Sequence, residues 1–305
     1  MDMTQNKCCR HGASLRRRRR RRRKILRSII FSCSIIAVAV FVAVGSRMIT
    51  SGDGGTNKYD VEAGNNTYDN AVIENSKISE KNKIQNNQSM LDDIMNSTQY
   101  PKQLKELALK NEEALEFVYD YPAEHVKEHT IDLTEEASMD SVPLFVQWDK
   151  RWGYEKYSGN FFAASGCGPT TLSMVVVYLT HNRDASPIAV AKYSKEAGYS
   201  VDGSGSSWTL ISEGCMHYGV KAKAVALDES RMKAELDEGH PIVVNVGPGD
   251  FTDTGHFMVI TGYDDEGFSI NDPNSIEKVA KGGYSEIYHL RLELSGVCMC
   301  ENIFV

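Results

Sequence analysis

The sequence predicts an α+β domain carried behind a single N-terminal transmembrane helix. Residues 28–46 run for nineteen positions without a charge, directly after a block of arginines. Up to Asp237 apolar residues recur at helical spacing, whereas after Pro241 short β-branched runs take over. Helices first and strands after is the order of a domain whose helical and sheet parts are segregated. A lone cysteine in Gly166-Cys167-Gly168-Pro169 stands where one of those helices should begin.

The charge distribution divides the chain. The 305 residues carry a net −7, yet residues 1–47 hold thirteen Lys and Arg against one Asp, or +12, which leaves −19 for the rest. An acidic body offers no basic face to phosphates, so a nucleic-acid partner is not expected. Residues 1–27 read as a basic cytoplasmic tail, with eight consecutive arginines from Arg16 to Arg23. Their adjacency to an apolar stretch favours topology and contact with anionic lipid over nuclear targeting. At about 1.5 Å per residue, residues 28–46 nearly cross a hydrocarbon core of roughly 30 Å. A cleaved signal peptide with its site at Ala43-Val44-Gly45 is the alternative, but its apolar region usually runs only about 7–15 residues. The arginines place the N-terminus in the cytoplasm and everything beyond residue 47 outside.

Residues 47–88 are rich in Asn, Ser, Lys, Glu and Gly and read as a flexible spacer. From 89 to 138 a helical preface is expected. Leu91, Ile94 and Met95, then Leu104, Leu107, Ala108, Leu115 and Val118, recur every three or four residues and need a surface to cover. That surface should be the domain of residues 139–305. Val142–Val146 reads there as a short entry strand, and Leu172–Leu179 as the body of a helix opened by Pro169. Its Val175-Val176-Val177 would also tolerate a strand. Further helices are expected over 188–196, 208–218 and 230–237, and strands over 242–246, 257–263 and 268–271.

Chemistry concentrates on Cys167. A thiolate at a helix N-terminus is stabilised by the helix dipole and by unpaired backbone N–H groups, and flanking glycines let a substrate backbone approach. A nucleophilic cysteine needs a base. Among the histidines, His256 stands at the mouth of the apolar run Phe257–Tyr263. The turn Asp264-Asp265-Glu266-Gly267 folds the chain back, so that Asp272 or Asn271 returns beside His256 to fix its tautomer. Asp272 is the preferred partner. Oxyanion donors are the backbone N–H of Cys167 and the side-chain amide of Gln147. Trp208 and Ser207, in a Gly-rich loop, are the candidate cleft wall, although tryptophans are more often packing residues. Cys215, Cys298 and Cys300 are open to either a disulfide or free thiols, and no ligand spacing supports a zinc site. No cofactor is expected.

Taken in order, these motifs resemble papain-like cysteine peptidases. The similarity is closest to the bacterial family related to the double-glycine leader peptidases that trim bacteriocin precursors. It rests on Phe145–Gly153, Ser165–Thr170, Ser207-Trp208, Pro248–Phe251, Gly255–Phe257 and Asn271–Asn274, and extends over about residues 95–305. The resemblance implies a papain-like fold with Cys167 as nucleophile, His256 as general base, Asp272 as its orienter and Gln147 as oxyanion donor. It implies a peptide or protein substrate and an acyl-thioenzyme. An enzyme acting on cell-wall peptides, or a non-catalytic peptide-binding or adhesion module, are the alternatives. The chain departs from transporter-fused leader peptidases in having one span and no Gly-x-x-x-x-Gly-Lys-Ser/Thr loop. Its catalytic side is expected outside the cell, on a single-pass membrane anchor.

Overall fold

The computed structural model describes residues 67–247, 254–265, 267–277 and 294–302. The basic tail, the expected membrane span and the first part of the expected spacer lie outside them, as do Cys8, Cys9, Cys33 and the Pro248–Phe251 motif. Among the described residues no helix is long and apolar enough to cross a membrane.

The chain enters through α1 (Thr67–Asn96). This corrects the expectation of a flexible spacer as far as residue 88. No Gly or Pro interrupts the chain from Thr67 to Tyr100, so nothing in the backbone opposes a helix despite the polar composition. Its C-terminal turns, with α2 (Lys102–Lys110) and α3 (Leu115–Tyr119), form the preface. Ile94, Leu104, Leu107, Leu115 and Val118 are buried there against Phe161 and Ala163 of the following domain. The ring of Phe117 stacks on Tyr154 at 4.2 Å, and Gly153 permits this approach, because a Cβ there would meet that ring at 2.7 Å.

Val142–Val146 forms no strand. Pro143 has no N–H to give a ladder, and the carbonyls of Val142 and Pro143 are taken by the Asn271 side chain at 3.2 and 3.0 Å. Two small hairpins follow, β1 (Lys156–Tyr157) with β2 (Asn160–Phe161), and β3 (Ser200–Val201) with β4 (Gly205–Ser206). Between them lie α4 (Cys167–Thr180) and α5 (Pro187–Glu196). In α4 every residue from Gly168 to Val177 is buried. A helix buried on all sides belongs at the centre of a domain, and each fully buried Leu, Met or Val contributes about 1.5–3 kcal/mol. The expected helix at 208–218 divides into a single turn at Thr209–Ser212 and a 3₁₀ turn at Gly214–Tyr218.

Among the described residues the sheet has five antiparallel strands, in the order β5 (Val220–Ala224), β9 (Leu294–Asn302), β6 (Ile242–Val246), β7 (His256–Tyr263), β8 (Phe268–Asn271). Strand alternation sorts its faces. Val243, Phe257 and Val259 join the core around α4, whereas Val244, Val246, Met258 and Ile260 pack on Met232 and Leu236 of α6 (Glu229–Asp237). The central helix is therefore pressed against the sheet at the strand that begins with His256.

Candidate active site

Cys167 is the first residue of α4, with Gly166 as its N-cap. Two close approaches hold this turn. A Cβ on Gly166 would meet the Phe162 ring at 2.6 Å, and one on Gly168 would meet Ser206 Oγ at 2.6 Å. Both glycines are thus required by packing and not by backbone freedom, since neither has a positive φ. Cys167 is partly exposed, while Cys215 and Cys300 are buried thiols.

His256 opens β7 opposite Val246, and the β7–β8 register pairs Val259 with Asn271. Asp272 therefore leaves the sheet beside the start of β7. His256 Nε2 lies 2.6 Å from Asp272 Oδ1, and both side chains are buried. That contact leaves Nδ1 for the Cys167 thiol, with which the imidazole interacts electrostatically. Asn271 is committed to the 142–143 segment, so the partner of His256 is Asp272 and not Asn271.

The electrostatics follow from these contacts. Burial opposes a thiolate at Cys167. The hydrogen bond and positive charge of His256, with backbone N–H groups of Phe257 and Gly168, outweigh it and hold the thiol below its ordinary range. Burial likewise opposes an imidazolium at His256, but hydrogen bonds to Asp272 and Cys167 raise its pKa well above the usual histidine value. The two groups favour a thiolate–imidazolium pair over a neutral one.

Gln147 is buried at the same end of the domain. Its Nε2 donates to the Ala163 carbonyl at 2.8 Å and to Asn274 Oδ1 at 3.3 Å, while its Oε1 has no partner. The amide expected to meet an oxyanion is thus spent on protein acceptors in this arrangement. Trp208 stacks on Phe257 at 5.9 Å with 8° between the planes, which sets the indole beside the strand that carries His256. Ser207 Oγ is paired with Thr209 Oγ1 at 2.6 Å. Sequence reasoning missed Asn274. It accepts from Gln147, Asn111 and Trp148, and its N–H donates to Asp272 Oδ1 at 2.7 Å. The sequence signal was its place as the last residue of the Asn271–Asn274 motif, to which no role had been given. Among the described residues no group of His, Cys, Asp and Glu could hold a metal ion.

The lowered thiol has a direct consequence. At mildly acidic pH, iodoacetamide should alkylate Cys167 roughly tenfold or more faster than Cys215 or Cys300. Peptide mapping after timed quenching measures this, and equal rates would remove the activated-thiol assignment.

The model described as "Peptidase_C39 like family" matches residues 139–291. No curated protein matches the chain. Among solved structures, the peptidase domain of Streptococcus ComA, described as a bi-functional ABC transporter involved in a quorum-sensing pathway, aligns at 20% identity. That alignment covers 52% of this chain and 96% of that one, with a TM-score of 0.38. A putative C39-like peptidase from Bacillus anthracis aligns at 15% identity over 53% of this chain and 95% of that one, also at 0.38.

Proposed function

Because the chain belongs to the Peptidase C39-like family, we propose that it is a cysteine peptidase acting through Cys167, His256 and Asp272. The family implies a peptide substrate and a mixed helix-and-sheet, papain-like domain. The observation that carries the catalytic reading is the 2.6 Å contact of His256 with buried Asp272, on an imidazole that also interacts with the Cys167 thiol.

The chemistry follows from that geometry. The Cys167 thiolate adds to the scissile carbonyl carbon, and the π-electron pair moves onto oxygen. Collapse of the tetrahedral adduct expels the amine, which takes a proton from the His256 imidazolium and leaves a thioester on Cys167. His256, now neutral, removes a proton from water as it attacks the thioester. The peptide acid departs and the thiolate–imidazolium pair is restored. Asp272 holds the imidazole ring and balances its charge without itself exchanging a proton. The oxyanion is assigned to the backbone N–H of Cys167 and to Gln147. For Gln147 this requires its long 3.3 Å bond to Asn274 to be exchanged for the substrate oxygen. Trp208 and Ser207 are assigned to the substrate cleft.

The anchor and the side of the membrane are part of the same proposal. They are supported by residues 28–46 and by the arginines before them. An enzyme so tethered would meet extracellular peptides. Incubating the detergent-solubilised full chain with a peptide library and, separately, with purified peptidoglycan tests the class of substrate. New termini in the library mark a peptidase on linear chains. Release from peptidoglycan alone marks a cell-wall enzyme. Binding without any cleavage would mark the non-catalytic module and overturn the proposal.

A further inference from the structure

We propose that Glu113, supported by Asn111, is a positioning residue for the triad, through which the helical preface holds the Asp272 turn in its working geometry. This rests on the catalytic reading above. It concerns a segment that precedes residue 139, where the family match begins.

Glu113 lies in the 3₁₀ turn Glu112–Ala114 between α2 and α3. Its carboxylate reaches across 162 to 164 positions of sequence to the loop after Asp272. There it accepts from Ser275 Oγ, from the Ile276 N–H at 2.6 Å and from the Glu277 N–H at 3.2 Å. A carboxylate that collects two backbone N–H groups and a hydroxyl makes charge-assisted bonds and fixes the local path of the chain. Asn111 reinforces it from the same turn. Its Oδ1 accepts from the Glu113 N–H at 3.0 Å, while its Nδ2 donates to Asn274 O and Oδ1 at 2.8 and 3.0 Å.

The loop passes this restraint to the site. The Asn274 N–H donates to Asp272 Oδ1 at 2.7 Å, the same oxygen that meets His256 Nε2. The Ser275 N–H donates to Asp272 O at 3.2 Å. A line of direct hydrogen bonds therefore runs from Glu113 through the 274–277 turn to Asp272 and His256, the imidazole that interacts with the thiol. The preface can bear the load, because α2 and α3 are anchored by their own buried cluster against Phe161 and Ala163. If the turn loosens, Asp272 no longer holds the imidazolium, and a misplacement of about 1 Å costs up to roughly 100-fold in rate. The charged groups lining the cleft around Glu113 are Lys83, Asp93, Lys110, Glu112, Glu116, Asp120 and Glu277. Those facing the thiol are His256 and Tyr157.

The test is the pH profile of Cys167 alkylation by iodoacetamide, read on the full chain alongside thermal unfolding. Glu113→Gln keeps the shape but removes the charge and presents an amide N–H₂ to the loop's N–H groups. It should move the midpoint of the profile to higher pH by about one pH unit, a roughly tenfold slower reaction at mildly acidic pH. Should that variant fold poorly, Ser275→Ala removes one of the three bonds from the loop side and should move the midpoint less, in the same direction. Asp120→Asn is the comparison. It removes the charge from the 2.6 Å Lys150–Asp120 pair that also ties preface to domain. Asp120 lines the same cleft but is bonded to Lys150 and not to the loop, so the variant should leave the midpoint in place. A wild-type profile in both Glu113→Gln and Ser275→Ala would overturn the positioning role, and so would an equal shift in Asp120→Asn. A wild-type chain that alkylates only in the ordinary thiol range would remove the catalytic reading together with it.

Discussion

Replacing Cys167 by alanine should abolish peptide turnover, lowering kcat/KM by at least about 10⁴-fold, while the melting temperature moves by no more than about 4 °C. The two halves of this expectation come from different links of the structure. Turnover depends on one atom: His256 and Asp272 have no nucleophile to serve once Sγ is gone, and groups that act as a unit are lost together. Stability depends on many. The α4 core from Leu172 to Val177 stays filled, and Cys167 is only partly buried among its neighbours. The lost thiolate–imidazolium contact therefore costs little against that packing. Steady-state kinetics and a thermal melt on the same preparation check both halves. Wild-type turnover in Cys167→Ala would reject the nucleophile, and a large drop in melting temperature would recast Cys167 as a structural residue.

Truncating Asp272 should have the next largest effect. Asp272→Ala removes the acceptor of the 2.6 Å bond from His256 and leaves the Asn274 N–H without its partner. The imidazole then loses its fixed orientation and its counter-charge. A fall in kcat/KM of roughly 10²–10⁴-fold is expected, in the range of general acid–base contributions. The pH dependence carries the sign. His256 is raised and Cys167 lowered by their mutual contacts, so the ion pair exists between a low thiol pKa and a high imidazole pKa. Without Asp272 the imidazolium is less favoured, its pKa falls and that of the thiol rises. The acidic limb of the rate profile should therefore move to higher pH. Asp272→Asn should retain activity within about tenfold of wild type, since its Oδ1 still accepts from Nε2–H. Equal loss in Ala and Asn variants would point to charge alone, and no loss in Ala would exclude Asp272 from the site.

The relation of His256 to Asp272 was legible in the sequence because both sit on one hairpin. A turn-forming Asp264–Gly267 between two apolar runs brings residues sixteen apart together by local chemistry alone. Cys167 was legible for a similar reason, since Gly166, Gly168 and Pro169 mark a helix start. What was not legible lies between distant segments. β5 reads Val-Lys-Ala-Lys-Ala, a weak alternation, and becomes a strand by pairing with β9 some eighty residues later. The Gly and Met within β9 hide it in turn. The Glu113 carboxylate reads as one more surface charge on an acidic body until the loop at 275–277 is laid against it. Gln147 stands out by its place in a motif, but the tie of its amide to Ala163 and Asn274 is not legible there. Val142–Val146 shows the reverse case. Its strand-like composition is overruled by Pro143 and by the Asn271 side chain that occupies its carbonyls.

The central claim is that the resting site holds a Cys167 thiolate beside a His256 imidazolium. It is tested most directly by the ultraviolet absorbance of the thiolate, recorded against pH for wild type after subtraction of that of Cys167→Ala. The geometry predicts a difference signal that persists into mildly acidic solution and collapses only below it. A signal that emerges only near the ordinary thiol pKa of about 8.5 would contradict it.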